Sequence, residues 1–164
     1  MSDMSASPPQ LALLIERIVA TDPTFPATIS RIPTFPYSTF SDMIAAVRAH
    51  EFTVARFSFQ QDADVLRLVN PQQATLHSIS VAATFLIPLA SVVLAFVISH
   101  WFWLGILYFF VGSRITTRIW DSAILDAALS SESAFCFLFY ASKINCYDAK
   151  SRREYEWQLI QKQA

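Results

Sequence analysis

The sequence predicts an α+β membrane protein, with a helical transmembrane hairpin of two apolar arms inserted between the two halves of a small cytoplasmic α+β domain. Three observations carry this expectation. Residues 68–113 form a run of 46 positions without Asp, Glu, Lys or Arg. The run is interrupted near its middle by Ser99, His100, Trp101 and Trp103. The segments on either side are too short to bury a core alone, yet both contain strand patterns. The composition agrees, since 54% of the 164 residues are apolar and only 15% charged, unlike a disordered or collagen-like chain.

Residues 1–37 hold six of the eight prolines. Leu11, Leu14, Ile15 and Ile18 fall at i, i+3, i+4 and i+7, which predicts a short amphipathic helix that lies on the membrane or caps the following domain. The N-terminus lacks a signal-peptide pattern, because Asp3 stands in place of a basic region and Glu16-Arg17 cuts the apolar stretch to Leu11–Ile15. A tetrapeptide repeats as Pro23-Thr24-Phe25-Pro26 and Pro33-Thr34-Phe35-Pro36. Proline pre-sets an extended backbone, so Phe25 and Phe35 are candidates for docking on a partner; the alternative is an extended wrap whose rings dock on the chain's own surface.

Residues 38–77 read as helix, strand and helix. Thr39 followed by Asp42 is a helix start, with Phe40, Met43, Ile44 and Val47 on one face and an end near His50. Phe52 to Phe59 reads as a strand. Asp62 to Leu68 reads as a short helix that stops before Asn70-Pro71, because proline disfavours helical geometry in the residue before it.

Residues 78–120 are the membrane candidate. A spanning helix needs about 20 predominantly apolar residues to cross about 30 Å of hydrocarbon. Ile79 to Ile98 meets that requirement. One straight helix from Ile79 to Gly112 would extend roughly 51 Å, too long for a single bilayer, so a turn near Ser99–Trp101 is expected. The second arm spans from Trp101 to Trp120 if Arg114 and Arg118 snorkel to one headgroup layer, or it forms a re-entrant wedge. Thr84, Pro88, Ser91, Ala95 and Ser99 recur at steps of four, three, four and four, and Gly105 and Gly112 lie seven apart. Small residues on one face let a second backbone approach closely, so these seven are candidates for helix packing within the chain or between subunits. His100, Trp101, Trp103, Arg114 and Arg118 are the candidate membrane-interface residues.

Residues 121–164 read as two helices and a terminal β-hairpin. Trp120, Ala123, Ile124 and Ala127 have helical spacing; Ser131 and Glu132 start a second helix, and Ala134 to Ala141 is apolar throughout. The hairpin is expected to run Ile144–Asp148, a polar turn, then Arg153–Ile160 with Tyr155, Trp157 and Leu159 on one face. If the membrane segment returns the chain to its starting side, this hairpin and the Phe52–Phe59 strand can join one domain.

No catalytic, cofactor-binding or metal-binding constellation emerges. The only two glycines lie in the apolar run, so a phosphate-cradling loop is unsupported, and His50-Glu51 lacks the second His of a metalloprotease helix. Cys136 sits in a hydrophobic run, where a thiol packs rather than reacts, and Cys146 falls on a half-exposed strand with no His nearby to activate it. A net charge of −1 gives no footprint for nucleic acid. The expected partners are membrane lipid and another protein or a second copy of the chain, with no cofactor. The expectation is a small, non-enzymatic integral membrane protein anchoring a cytoplasmic interaction domain, both termini cytoplasmic, self-associating through its membrane helices. The competing class is an accessory subunit of a transport system or an immunity or exclusion factor.

Overall fold

The computed structural model describes residues 9–57, 62–98 and 105–163. Within these the chain forms mixed helices and one small sheet, divided into two compact units. One is drawn from both ends of the chain, Met1–Gln61 and Ile124–Ala164; the other is Asp62–Ala123.

In the first unit, α1 (Pro9–Thr21) starts with proline at a position whose N–H needs no helical partner. Leu11 is wholly buried, and Leu14, Ile15 and Ile18 are the partly covered positions of the same face, so the helix packs by its apolar stripe. It contacts α6 (Glu132–Tyr140). After α1, Asp22 accepts from the Thr24 N–H at 2.8 Å and its hydroxyl at 2.6 Å, an Asx turn that redirects the proline-rich segment. A single 3-10 turn at Ile29–Arg31 follows. There the Ile29 N–H donates to Glu132 Oε1 at 2.9 Å, tying the segment to the start of α6.

The rest of this unit is built from two helix-to-strand elements of matching size. The nine residues of α2 (Phe40–Arg48) lead through Ala49, His50 and Glu51 into the five residues of β1 (Phe52–Arg56). The nine residues of α6 lead through Ala141, Ser142 and Lys143 into the five of β2 (Ile144–Asp148). Both helices end the same way. His50 and Ser142 take φ of 57° and 52°. The next N–H, of Glu51 or Lys143, donates back to the carbonyl of Ala46 or Leu138, at 3.0 and 2.9 Å. This left-handed cap satisfies carbonyls that the helix leaves open and turns the chain into the strand. Thr39 caps α2, accepting from the Asp42 N–H at 3.2 Å and donating to Asp42 Oδ2 at 2.6 Å.

β1 and β2 pair antiparallel, Phe52 opposite Asp148 and Arg56 opposite Ile144, and β3 (Arg153–Tyr155) pairs antiparallel with β2, giving the order β1-β2-β3. Strands from opposite sides of the long apolar run therefore form one sheet. Phe52, Val54, Ile144, Cys146 and Tyr155 are buried, and α6 contributes Phe135, Cys136, Leu138 and Phe139. The all-apolar stretch of α6 is thus covered by protein.

The terminal hairpin differs from the sequence expectation. β3 stops at Tyr155, and α7 (Trp157–Gln163) replaces the rest of the anticipated strand. Trp157 and Ile160, three apart, are both buried, while Leu159 is 44% exposed. Helical spacing buries two large side chains where alternation would bury Trp157 with Leu159. β1 likewise ends at Arg56, and the end of its anticipated strand, at 58–59, lies outside the described residues.

In the second unit, α3 (Ala63–Val69) is capped by Asp62, which accepts from the Asp64 N–H at 3.2 Å. Asn70 then caps α4 (Pro71–Val97), accepting from the Gln73 N–H at 3.2 Å, with Pro71 as the first helical residue. Leu66, Val69 and Ala74 are buried where α3 meets α4. α5 (Leu107–Ser130) begins in this unit, and its last turns belong to the other.

Candidate functional site

α4 is 27 residues long and apolar enough to cross a membrane, and no other described helix meets that measure. Only 11% of its most apolar stretch is buried inside the protein. Its covered side is a narrow stripe in which His77, Thr84 and Ser91 are buried and Pro88 and Ala95 partly so. Phe85, Leu86, Leu89, Val93, Phe96 and Val97 are between 55% and 76% exposed.

The stripe is occupied by α5 running the other way. Ser91 lies against Gly105, so closely that a Cβ there would overlap the serine side chain. A Cβ on Gly112 would meet Thr84 Oγ1 at 2.8 Å and Tyr108 Cε1 at 3.2 Å. Thr116 Oγ1 is 2.7 Å from Ser80 Oγ and 3.2 Å from Thr84 Oγ1. Beyond it the rings of His77 and Trp120 are 5.2 Å apart. Stepping seven, four and three residues back along α4 from Ser91 is matched by steps of seven, four and four forward from Gly105, just before α5, to Trp120 within it, the signature of two antiparallel segments in constant register. Small residues permit the approach, and the hydroxyls satisfy one another or the carbonyl one turn back, as Thr84 does with Ser80 O at 2.8 Å and Ser91 with Ile87 O at 2.8 Å.

Of the residues singled out from sequence, Thr84, Ser91, Gly105 and Gly112 meet in this contact, and Pro88 and Ala95 share its face. Ser99, His100, Trp101 and Trp103 lie outside the described residues. Arg114 and Arg118 are exposed, one turn apart on α5. Phe25 and Phe35 lie against the chain's own aromatic rings. Phe25 is 3% exposed, its ring edge-on to Tyr140 at 5.0 Å. Phe35 lies 5.6 Å from Phe52, 5.5 Å from Tyr155 and 6.1 Å from Phe139. The tetrapeptides are not extended as the sequence suggests: Pro23-Thr24 and Pro33-Thr34 lie in turns, with Thr34 at φ 61°, and each turn sets its Phe against the protein's own aromatic rings, where burial gains more than exposure to water.

Sequence reasoning missed three positions. Thr116 links both helices, and its spacing of four from Gly112 was the available signal. Tyr140 donates to Asp22 Oδ2 at 2.7 Å across 118 positions, and Glu132 reaches Ile29; neither leaves a local trace.

The titratable groups outside α4 and α5 serve the fold. Burial, with Glu132 nearby, pushes the Cys136 thiol up to about 12, and burial raises Cys146 as well. Both remain protonated at neutral pH and poor nucleophiles. Hydrogen bonds from the Thr24 side chain, from Tyr140 and from the Thr24 N–H hold Asp22 below the ordinary carboxylate value. Asp148 is lowered similarly, first by the Ser151 hydroxyl at 2.7 Å, as it closes the turn between β2 and β3. Among the described residues no group of three His, Cys, Asp or Glu could hold a metal ion. Comparison with known protein families, with curated proteins and with solved structures finds no match to this chain.

Proposed function

We propose that the protein is a small integral membrane protein whose α4–α5 pair forms a transmembrane hairpin. It anchors the discontinuous helix-and-sheet unit on the cytoplasmic side as a non-enzymatic module that binds another protein. The observation that carries this reading is the exposed face of α4. Leaving Phe85, Leu86, Leu89, Val93, Phe96 and Val97 in water forgoes on the order of 10 kcal/mol of burial, comparable to a domain's whole stability. Hydrocarbon removes that penalty. The antiparallel register supports a hairpin over a single span, and the pairing of β1 with β2 is consistent with both flanks lying on one side. Arg114 and Arg118, after the apolar run, favour a cytoplasmic end for α5.

Binding is favoured over catalysis because the thiols are buried and protonated, while Asp22 and Asp148 spend their acceptor capacity on turns. The small-residue stripe is consumed by contact within the chain, so self-association, where it occurs, uses the outer faces of α4 and α5.

Alkaline carbonate extraction, with compartment-sensitive reporters fused separately to each end, tests the reading. Retention in the pellet with both reporters cytoplasmic is expected. Release into the supernatant would refute membrane insertion, and reporters on opposite sides would replace the hairpin with one span.

A further inference from the structure

Outside the α4–α5 contact, the feature of the second unit that combines charge with apolar surface is a groove on the outer side of α5. It encloses about 550 Å³ and is lined by Phe110, Val111, Arg114, Ile115 and Arg118. All five are exposed. Arg114 and Arg118 are separated by one helical turn, so both guanidiniums can address one ligand. Among the described residues neither forms an ion pair.

Their height along the helix pair is defined. Thr116, between them in sequence, is bonded to Ser80, immediately after Ile79 opens the apolar stretch of α4. Phe110 and Val111 lie one to two turns farther along α5, toward the level of the apolar middle of α4. The groove therefore runs from two positive charges at the edge of the apolar zone to apolar walls inside it, the same polar-to-apolar order as a phospholipid.

We infer that this groove is a binding site for an anionic phospholipid, with Arg114 and Arg118 holding the headgroup phosphate on either side of Ile115, and Phe110 and Val111 receiving the first part of an acyl chain. The inference rests on the membrane reading above. Arginine suits the role because its planar guanidinium donates two parallel hydrogen bonds to a phosphate, which lysine cannot do. Long stems let both heads reach one headgroup layer from different depths.

The test uses the full chain purified in a neutral detergent, with native mass spectrometry counting bound phosphatidylglycerol and phosphatidylcholine, and inorganic phosphate as competitor. Wild type is expected to prefer phosphatidylglycerol, and the Arg114→Gln/Arg118→Gln variant to bind it about tenfold or more weakly with phosphatidylcholine binding unchanged. The Arg114→Lys/Arg118→Lys variant should fall between, having charge without the bidentate fork. Equal binding of both lipids by wild type, or equal phosphatidylglycerol binding by wild type and the Gln variant, overturns the site. Displacement of the lipid by inorganic phosphate at equal concentration overturns the acyl-chain part and leaves a bare phosphate site. Carbonate extraction of the membranes from which the protein is purified separates the two levels: protein that stays in the pellet but shows no lipid preference refutes the groove alone, whereas protein that is released refutes the membrane reading.

Discussion

Phe135 and Phe139 are wholly buried, whereas Phe85 and Phe96, the same residue type on helices of the same chain, are 60% and 76% exposed. The first pair belongs to the unit made from both ends of the chain, the second to the apolar unit between them. In the first unit rings meet rings: Phe135 and Phe139 stack at 5.9 Å, and Phe35, Phe52 and Tyr155 close around them. In the second, small or hydroxyl-bearing side chains line the contact from Ser80 to Ser91, the His77–Trp120 pair closes its far end, and the large side chains of α4 from Phe85 onward are exposed. The difference accords with the membrane reading proposed for α4 and α5. In water the large apolar groups are driven inward, whereas in lipid they gain nothing by meeting each other and helices associate through close backbone approach instead.

The largest expected effect breaks the aqueous half of that comparison. Phe135→Ala should cost about 3–5 kcal/mol of unfolding free energy by leaving a cavity under the sheet, a large share of a typical domain's total. Leu89→Ala, on the exposed face of α4, should cost under about 1 kcal/mol in a bilayer, where the removed side chain is replaced by lipid. Denaturant unfolding of the full chain in lipid nanodiscs reads both. Similar costs at the two positions would mean that Leu89 is covered by protein rather than by lipid.

The helix contact supplies the next effect. Gly105→Leu and Gly112→Leu place atoms where Ser91 and Thr84 already stand, and overpacking costs about 1–3 kcal/mol. Disulfide crosslinking between cysteines introduced at Ser80 and Thr116 should fall sharply in either variant. A cleaner form uses Gly105→Ala, whose loss of crosslinking should be restored by Ser91→Gly, since the overlap involves both the hydroxyl and the Cβ of Ser91. Absence of rescue would show that the Gly105 defect arises elsewhere than in this contact. Thr116→Val keeps the shape and removes the hydroxyl shared with Ser80 and Thr84, so its cost should be about 0.6 kcal/mol, the usual size of an interhelical hydrogen bond in a membrane.

The two units also differ in how much of them the sequence discloses. The stripe of Thr84, Ser91, Gly105 and Gly112 is visible because packing in a helix pair is written in residue size at helical spacing. The Thr39–Asp42 cap and the α1 stripe are visible because both are local. In the unit built from both ends of the chain the deciding contacts are not local. Val54 pairs with Cys146 at the centre of the β1–β2 ladder, 92 positions away, and the two helix-to-strand elements share almost no residue identities although their lengths match. Their common left-handed caps fall on His50 and Ser142 rather than glycine, which hides the turn. The Trp157–Ile160 segment carried both alternation and helical spacing, and only the burial of Ile160 decides between them. For Phe25 and Phe35, an extended segment that presents a ring outward and a turn that docks it inward have the same pattern of proline and phenylalanine.

The smallest expected effect concerns the bond that closes the proline-rich segment onto α6. Tyr140 donates to Asp22, so the bond lowers the carboxyl group's folded-state pKa and raises the phenol's. The signs then differ at the two ends of the pH scale. The depressed Asp22 contributes stability that is present above its unfolded value, about 3.9, and is lost as pH falls through its lower folded value. The raised Tyr140 contributes stability that is present below its unfolded value, about 10, and is lost as pH rises through its higher folded value. The stability difference between wild type and Tyr140→Phe should therefore be level from about pH 5 to 9 and shrink at both extremes. Subtracting the variant removes the parallel acid loss of Asp148, which is also depressed but has no contact with Tyr140. A difference near zero across the whole range would mean that the ring edge of Phe25 against residue 140, which the variant keeps, rather than the hydrogen bond, holds the segment in place.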